Sequence, residues 1–418
     1  MLKLDKTTPM GSNIHYFLKW TFISCVIGVT VGVIGAVFGR GVAWVTNFWN
    51  AHAWTLFLAP LAGLLIVWLY HMFHEEGNRG TNLVLESISA DEEVTLATAP
   101  LIFVSTLLTH FVSASAGREG AALQLGGSLG EQLGKWLRLD EKDRKVAVMC
   151  GMSACFAALF GTPMAAGIFS LEVVSIGVLY YAALVPCVFS AFIGAGISGA
   201  MGNPPERFLL EAVPEFGIAQ AALTVGLGIL CALLSMAFCV LLHRSEKLYH
   251  EKCPNPYMRI LAGSLLFIAL TLISGSRDYN GSGMSLIGRI MEGEQVSYGA
   301  FLWKMLFTAV VLGAGFKGGE IVPTLCVGAA FGAAAARLLG LDQALWAACA
   351  MTGLFVGVTN CPIATVILAF EMFGYGAMPY FALIVPVSFT LSGYYGLYKS
   401  QKFAYSKLKA EYINRKSE

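Results

Sequence analysis

Charge is the scarcest ingredient of this chain. Only 13% of its 418 residues are Asp, Glu, Lys or Arg, whereas a soluble domain carries about 25%. That shortfall excludes an ordinary water-soluble globule, because the polar coat is half missing. Net charge is +1, so no basic face points to nucleic acid. The ten cysteines contain no CxxC pair and sit mostly in apolar stretches, which reads as buried thiols, with no disulfide framework and no metal site. No signal peptide is expected, since the first long apolar run starts at Trp20 without a small-residue cleavage site. Strict alternation is also absent, which removes the transmembrane β-barrel with its segments of about ten alternating residues.

What is present is apolar length. Mean hydropathy is +0.68. Uncharged runs cover Trp20–Gly39, Gly41–His74, Val94–Gly117, Val146–Leu171, Val173–Pro205, Phe216–His243, Ile260–Ser276, Gln343–Phe370 and Met372–Tyr398. Each is near or beyond the roughly 20 residues that cross a bilayer as a helix. The fold class is therefore an all-α polytopic membrane protein. Several runs are interrupted by proline, at Pro60, Pro163, Pro186, Pro362 and Pro386. Such breaks predict tilted or re-entrant helices, tolerated at membrane depth only inside protein or along a cavity. The 46 glycines suit close helix packing. Both ends are basic, with Lys3 and Lys6 at the start and Lys399, Lys402, Lys407, Lys409, Arg415 and Lys416 at the end. The positive-inside rule places both termini in the cytoplasm of a cell membrane.

An internal repeat organises these runs. The stretch "GMSACFAALFGTPMAAGIFSLEV" (151–173) aligns without gaps with "AMTGLFVGVTNCPIATVILAFEM" (350–372), sharing Met152/Met351, Phe156/Phe355, Pro163/Pro362, Ala165/Ala364, Ile168/Ile367 and Glu172/Glu371. The halves fall at roughly 17–200 and 217–398, joined by "GNPPERFLLEAVPEFG" (202–217), and composition leaves open whether they run parallel or inverted. Weak repeats with breaks at matching places point to a transport site at the bilayer midplane. Upstream of the matched stretches lie "GREGAALQLGG" and "GGEIVPTLCVG", read as equivalent helix starts. Each glycine-rich approach opens an apolar helix whose free N–H groups and dipole favour an anion.

Arg118 and Glu119 stand side by side between two uncharged stretches, Val94–Gly117 and Gly120–Gly130. An ionisable group at membrane depth is expensive and marks function by default. Glu119 falls on the first turn of its helix, where backbone potential stabilises a carboxylate. The same potential would hold a mobile anion once the carboxylate moved away or took up a proton. The bland alternative is a capping carboxylate paired with Arg118.

Other motifs carry less. "GGSLG" (126–130) fits the nucleophile elbow GxSxG, but that motif needs a strand-to-helix turn. Here it lies within an apolar helix, where Gly126, Gly130 and Gly134 form a packing stripe, so a hydrolase acting through Ser128 is set aside. "GAGFKG" (313–318) lacks the soluble βαβ context of a dinucleotide site. "HMFHEE" (71–76) reads as a solvated face and "NGS" (280–282) as a turn.

Together "GREGAALQLGGSLGEQLGKWLRL", "CGMSACFAALFGTPMAAGIFSLEV" and "GAGFKGGEIVPTLCVGAAFG" resemble the CLC family of anion channels and anion/proton antiporters, over residues 17 to 412. The resemblance implies one transmembrane domain over 1–418 built as inverted repeats. It further implies a cytoplasmic C-terminal helix at 399–418, no CBS domains, no cofactor and a homodimer with an anion path in each subunit. Chloride or fluoride and protons are the implied partners, alongside the lipid bilayer. Glu119 matches the gating glutamate that competes with the anion and carries the proton. Ile321 and Val322 supply backbone donors in the family's second anion-binding segment, and Arg118 and Gly120 flank the first. Tyr405, in "KFAYSKL", matches the tyrosine whose hydroxyl contacts the central anion, whereas Glu172 and Glu371 are structural. Three departures stand out. "GNRGTNLVLESI" (77–88) replaces the stretch that carries the usual serine ligand, leaving Gly80, Thr81 and Asn82 as substitutes. Val173 falls where chloride/proton antiporters keep their inner proton glutamate. Finally, "GGEIVP" brings Glu320 to the pathway. A missing serine with an added glutamate resembles the fluoride/proton branch, although Val322 stands where that branch carries a hydroxyl. Glu320 would repel anions while ionised; protonated, it can donate a hydrogen bond to a small hard anion or relay protons. A channel on the same fold is the competing reading, which Val173 permits.

Overall fold

A computed structural model describes residues 9–90, 92–210 and 213–418; Lys3 and Lys6 lie outside them. Sixteen α-helices are found among the described residues, eight in each half. The first half runs α1 (Pro9–Ala51), α2 (Ala59–Met72), α3 (Thr81–Ser89), α4 (Thr98–Phe111), α5 (Glu119–Trp136), α6 (Glu141–Phe160), α7 (Pro163–Glu172) and α8 (Leu184–Ala200). The second runs α9 (Ile218–Lys252), α10 (Pro256–Ser274), α11 (Met284–Met291), α12 (Ala300–Ala314), α13 (Ile321–Leu339), α14 (Gln343–Thr359), α15 (Pro362–Phe373) and α16 (Met378–Leu391).

Helix lengths follow from the breakers. The 43 residues of α1 span about 64 Å at 1.5 Å per residue, twice the hydrocarbon thickness, so α1 must tilt or protrude. In contrast α3, α7 and α11 have 9, 10 and 8 residues and reach about halfway across. Pro163 and Pro362 open α7 and α15 at the position where a missing N–H costs nothing. Among the described residues, six helical stretches are long and apolar enough to span a membrane. Phe22, Trp44, Leu61, Leu233 and Ile273 stand exposed on them, as lipid-facing side chains do. The chain is a multi-pass membrane protein.

Packing repeats between the halves. Helix α5 lies on α6 as α13 lies on α14, and α1 touches α6 and α8 as α9 touches α14 and α16. Between the halves, equivalent helices meet their own counterparts: α2 with α10, α5 with α13, α7 with α15. This is the pattern of a pseudo-two-fold axis, and Gly117 and Gly319 sit on it as an isolated antiparallel bridge with N···O distances of 2.7 Å in both directions. The glutamates nine residues after the two prolines are exchanged across the axis. Glu172 accepts from Ile363 N (3.2 Å) and Ala364 N (2.9 Å) at the start of α15. Glu371 accepts from Met164 N (3.1 Å) and Ala165 N (2.9 Å) at the start of α7. Each caps the opposite half's broken helix, satisfying N–H groups that lipid could not.

The halves are inverted. Helix α6 ends against the linker, where Phe160 O accepts from Glu206 N (2.9 Å). Its counterpart α14 ends against the C-terminal segment, where the Asn360 Oδ1 accepts from Lys407 Nζ (2.6 Å). Helix α7 starts beside the first of these faces and finishes at the second, with Val173 O accepting from Gln401 Nε2 (3.0 Å). We call these the linker face and the hairpin face.

The C-terminal segment corrects one expectation. Residues 399–418 do not form a helix. They make β2 (Lys402–Tyr405) and β3 (Tyr412–Lys416), antiparallel to each other, with β2 parallel to β1 (Ser175–Ile176). Phe403, Tyr405, Tyr412 and Ile413 favour a pleated, half-buried surface, and Lys407 pins the hairpin to the ends of α14 and α16 through Asn360, Phe389 O (2.8 Å) and Ser392 Oγ (3.2 Å).

Candidate functional site

The bridge at Gly117 and Gly319 brings the starts of α5 and α13 together. Only glycine allows this approach. A Cβ on Gly319 would lie 2.3 Å from Gly120 N, and one on Gly120 would lie 2.7 Å from Gly319 Cα. Two helix N-termini thus face one junction, adding the positive ends of two dipoles.

Glu119 is the first residue of α5 and is 1% exposed. Its carboxylate folds back over the helix start, where Oε2 accepts from Arg118 N (3.0 Å) and Oε1 from Arg118 Nε (3.3 Å). It therefore occupies the place an anion would take. Arg118 also donates through Nη2 to Leu159 O (3.3 Å) and to Glu206 Oε1 (2.5 Å) on the linker.

Glu320 is the residue just before α13. Its backbone angles (φ −94°, ψ −14°) match those of Arg118 before α5 (φ −102°, ψ −14°). With Gly117 paired to Gly319, the counterpart of Glu320 is Arg118, and that of Glu119 is Ile321. The sequence motifs align the two glutamates; the axis displaces them by one residue. Ile321 and Val322 are buried, and the first main-chain bond of this helix is Thr324 N to Glu320 O (2.9 Å), leaving the N–H groups of Ile321 and Val322 for a ligand.

Gly80, Thr81 and Asn82 open α3 beside this junction. Gly80 has φ +65°, a left-handed conformation. Thr81 Oγ1 donates to Gly120 O (3.3 Å) and accepts from Gln124 Nε2 (3.4 Å). A Cβ on Gly120 would stand 3.5 Å from both Thr81 Oγ1 and Glu320 Oε2, so these two groups flank the start of α5. Asn82 is committed elsewhere, with Oδ1 accepting from Ser400 N (3.0 Å) and Ser400 Oγ (2.9 Å).

Tyr405 is not at the junction. It is 48% exposed on β2 and packs edge-on against Tyr412, because the segment forms a surface hairpin. Tyr398, by contrast, is 1% exposed, and its hydroxyl has no hydrogen-bond partner among the described residues. The signal was available, since Tyr398 closes the last uncharged run. Gln401 was also missed. Its amide donates to both Val173 O (3.0 Å) and Thr359 O (2.8 Å) on the hairpin face. Ser128 donates to Thr95 O (2.7 Å) within the helix packing, and a Cβ on Gly126 would meet Gly151 O at 2.2 Å, the close contact expected of the glycine stripe. His71 pairs with Glu76 (2.5 Å) on an exposed face.

Two inverted halves whose broken helices aim paired N-termini at a buried junction define a CLC-type transport architecture. The chain belongs to the voltage gated chloride channel (CLC) family, whose description matches residues 62–393. It is 32% identical over 398 residues to a chloride/fluoride channel protein of Pseudomonas syringae pv. tomato, covering 94% of this chain and 88% of that one. Identity to the H(+)/Cl(-) exchange transporter ClcA of Yersinia pestis is 26%, over 89% of this chain and 82% of the other. The crystal structure of a CLC-type fluoride/proton antiporter superposes with a TM-score of 0.88 at 30% identity, covering 92% of this chain and 98% of that one. A slow cyanobacterial Cl-/H+ antiporter shares the fold, with a TM-score of 0.77 at 18% identity.

Proposed function

We propose that this chain exchanges a small halide for protons across the cell membrane, with fluoride as the preferred ion and chloride as the alternative. The observation that carries the reading is a pair of carboxylates at paired helix starts, Glu119 folded over the start of α5 and Glu320 flanking it, with the buried Tyr398 hydroxyl left without a partner among the described residues. Glu119 is the exchange group. Ionised, it fills the N-terminus of α5; protonated, it leaves that positive site to an anion. The backbone N–H groups of Gly120, Ile321 and Val322 and the hydroxyl of Tyr398 are the anion donors, with Thr81 holding the start of α5 through Gly120 O. Protonated Glu320 adds an O–H donor, a contact that suits a small hard anion strongly hydrated in water. Selectivity then rests on the number and strength of these donors.

The hairpin face is the cytoplasmic one, since Lys399, Lys402, Lys409, Arg415 and Lys416 cluster there. The working unit is a homodimer with one path in each subunit. Fluoride is supported by Glu320 and by the 32% and 30% identities to the chloride/fluoride channel protein and the fluoride/proton antiporter. A passive channel is the second reading, favoured by Val173 in place of a proton carrier. Liposomes loaded with fluoride, placed in fluoride-free medium with an opposing pH gradient, separate the two. An antiporter drives protons uphill as fluoride leaves. A channel moves fluoride and leaves the pH gradient alone.

A further inference from the structure

The linker crosses its face of the protein in an extended course that does not use the Glu206 side chain. Main-chain bonds run from Glu206 N to Phe160 O (2.9 Å), from Phe208 N to Met372 O (2.8 Å) and from Leu210 N to Phe373 O (3.4 Å). Upstream, Asn203 Nδ2 donates to Ala36 O (3.0 Å) and Ser198 Oγ (3.0 Å). The Glu206 carboxylate is left over from this anchoring, and it reaches inward to Arg118 Nη2 at 2.5 Å. The same guanidinium donates through Nε to Glu119 Oε1. One cation is therefore shared by two acids, graded from 28% exposure at Glu206 through 16% at Arg118 to 1% at Glu119.

This sharing has a consequence for Glu119. A guanidinium keeps its charge at any working pH, and an ion pair withdrawn from water is far stronger than an exposed one. Were Glu119 the sole acid facing Arg118, each departure of its carboxylate from α5 would strand a buried cation. With Glu206 present, Arg118 stays paired whether Glu119 is ionised, protonated or displaced. We propose that Glu206 is a positioning residue for exchange at Glu119: it holds the Arg118 guanidinium toward the linker face, so that Glu119 can yield its place to an anion. The inference rests on Glu119 being the exchange carboxylate.

The test is a suppression experiment on reconstituted protein, measuring fluoride efflux and the accompanying proton uptake. Glu206→Gln is expected to slow coupled efflux about tenfold, within the range of coupling between residues in one charged network. Adding Arg118→Gln to it removes the cation that would otherwise clamp Glu119, and is expected to restore the rate to within about threefold of wild type. A merely structural Glu206 would make the double variant slower still. Wild-type rates in Glu206→Gln, or a double variant no faster than the single one, overturn the proposal. If Glu206→Gln does not yield a single dimeric species, Glu206→Asp provides the measurement, because it keeps the charge but shortens its reach. A two- to threefold slowing is then expected, of the order of a weakened pair, and an unchanged rate overturns the proposal. Absence of coupled flux in the wild-type chain would instead refute the exchange reading itself.

Discussion

Glu172 and Glu371 obey the pseudo-two-fold axis, and Glu119 and Glu320 break it. In the first pair each carboxylate binds two N–H groups of the opposite half, so each is fixed as a cap across the axis. In the second pair one acid lies inside its helix start and the other just before its own, opposite an arginine in the symmetric half. Duplicated halves allow this division. Positions that hold the halves together are kept alike, whereas positions at the junction diverge and create a polarity that a symmetric site would lack. Burial alone does not tell the two pairs apart; the origin of their partners does, since Glu172 and Glu371 bind N–H groups of the opposite half whereas Glu119 binds only its own neighbour Arg118.

The comparison can be broken most severely at the axis. Gly319→Ala places a Cβ 2.3 Å from Gly120 N, and backbone there has nowhere to go. We expect loss of transport and of the folded species on size-exclusion chromatography. Gly199→Ala, where nothing lies within 4 Å of the added carbon, is expected to leave both unchanged.

Exchanging the acids one at a time sharpens it. Glu320→Ala, which takes the O–H donor away, is expected to reduce fluoride efflux at least about tenfold, the cost of one lost hydrogen bond to a charged partner, with thermal stability in detergent little altered. Glu172→Gln should do the reverse. It weakens two charge-assisted caps at a cost of about 1–3 kcal/mol, lowering the melting temperature while the ratio of protons to anions stays at the wild-type value. Smaller in effect is the pair of tyrosines. Tyr398→Phe removes a buried hydroxyl that has no partner among the described residues and is expected to slow efflux several-fold, on the scale of about 1 kcal/mol for a hydrogen bond. Tyr405→Phe, on the exposed hairpin, is expected to change nothing in the same assay. Least of all, Ser128→Ala removes one bond to Thr95 O and is expected to leave transport rates intact.

Much of this was legible in the sequence. Scarce charge and long runs gave the membrane class, and Pro163 and Pro362 marked the starts of α7 and α15, whereas Pro186 and Pro386 lie inside α8 and α16 and the short α3 and α11 carry no proline. The 151–173 and 350–372 match revealed the halves, and the isolated Arg118–Glu119 pair marked the junction. What escaped depends on contacts between residues far apart in the chain. The reciprocal caps join positions separated by nearly half the chain, and no local pattern encodes them. The one-residue displacement of Glu320 follows from the Gly117–Gly319 bridge, which motif alignment cannot see. Tyr405 rests on the motif match of "KFAYSKL" alone, and a motif does not show that its residues form an exposed hairpin; the short strands dock on β1, and so few residues show little alternation. The Glu206–Arg118 contact lay hidden for the same reason, in a linker whose composition marks only a connection.

The central claim is that an anion and a proton exchange through Glu119. Paired fluoride and proton fluxes from liposomes, on wild type and Glu119→Gln, test it most directly. The account predicts fluoride efflux with a fixed proportion of proton uptake in the wild type, and in the variant either no flux or fluoride movement without protons. Proton uptake that stays proportional to fluoride efflux in Glu119→Gln would contradict it.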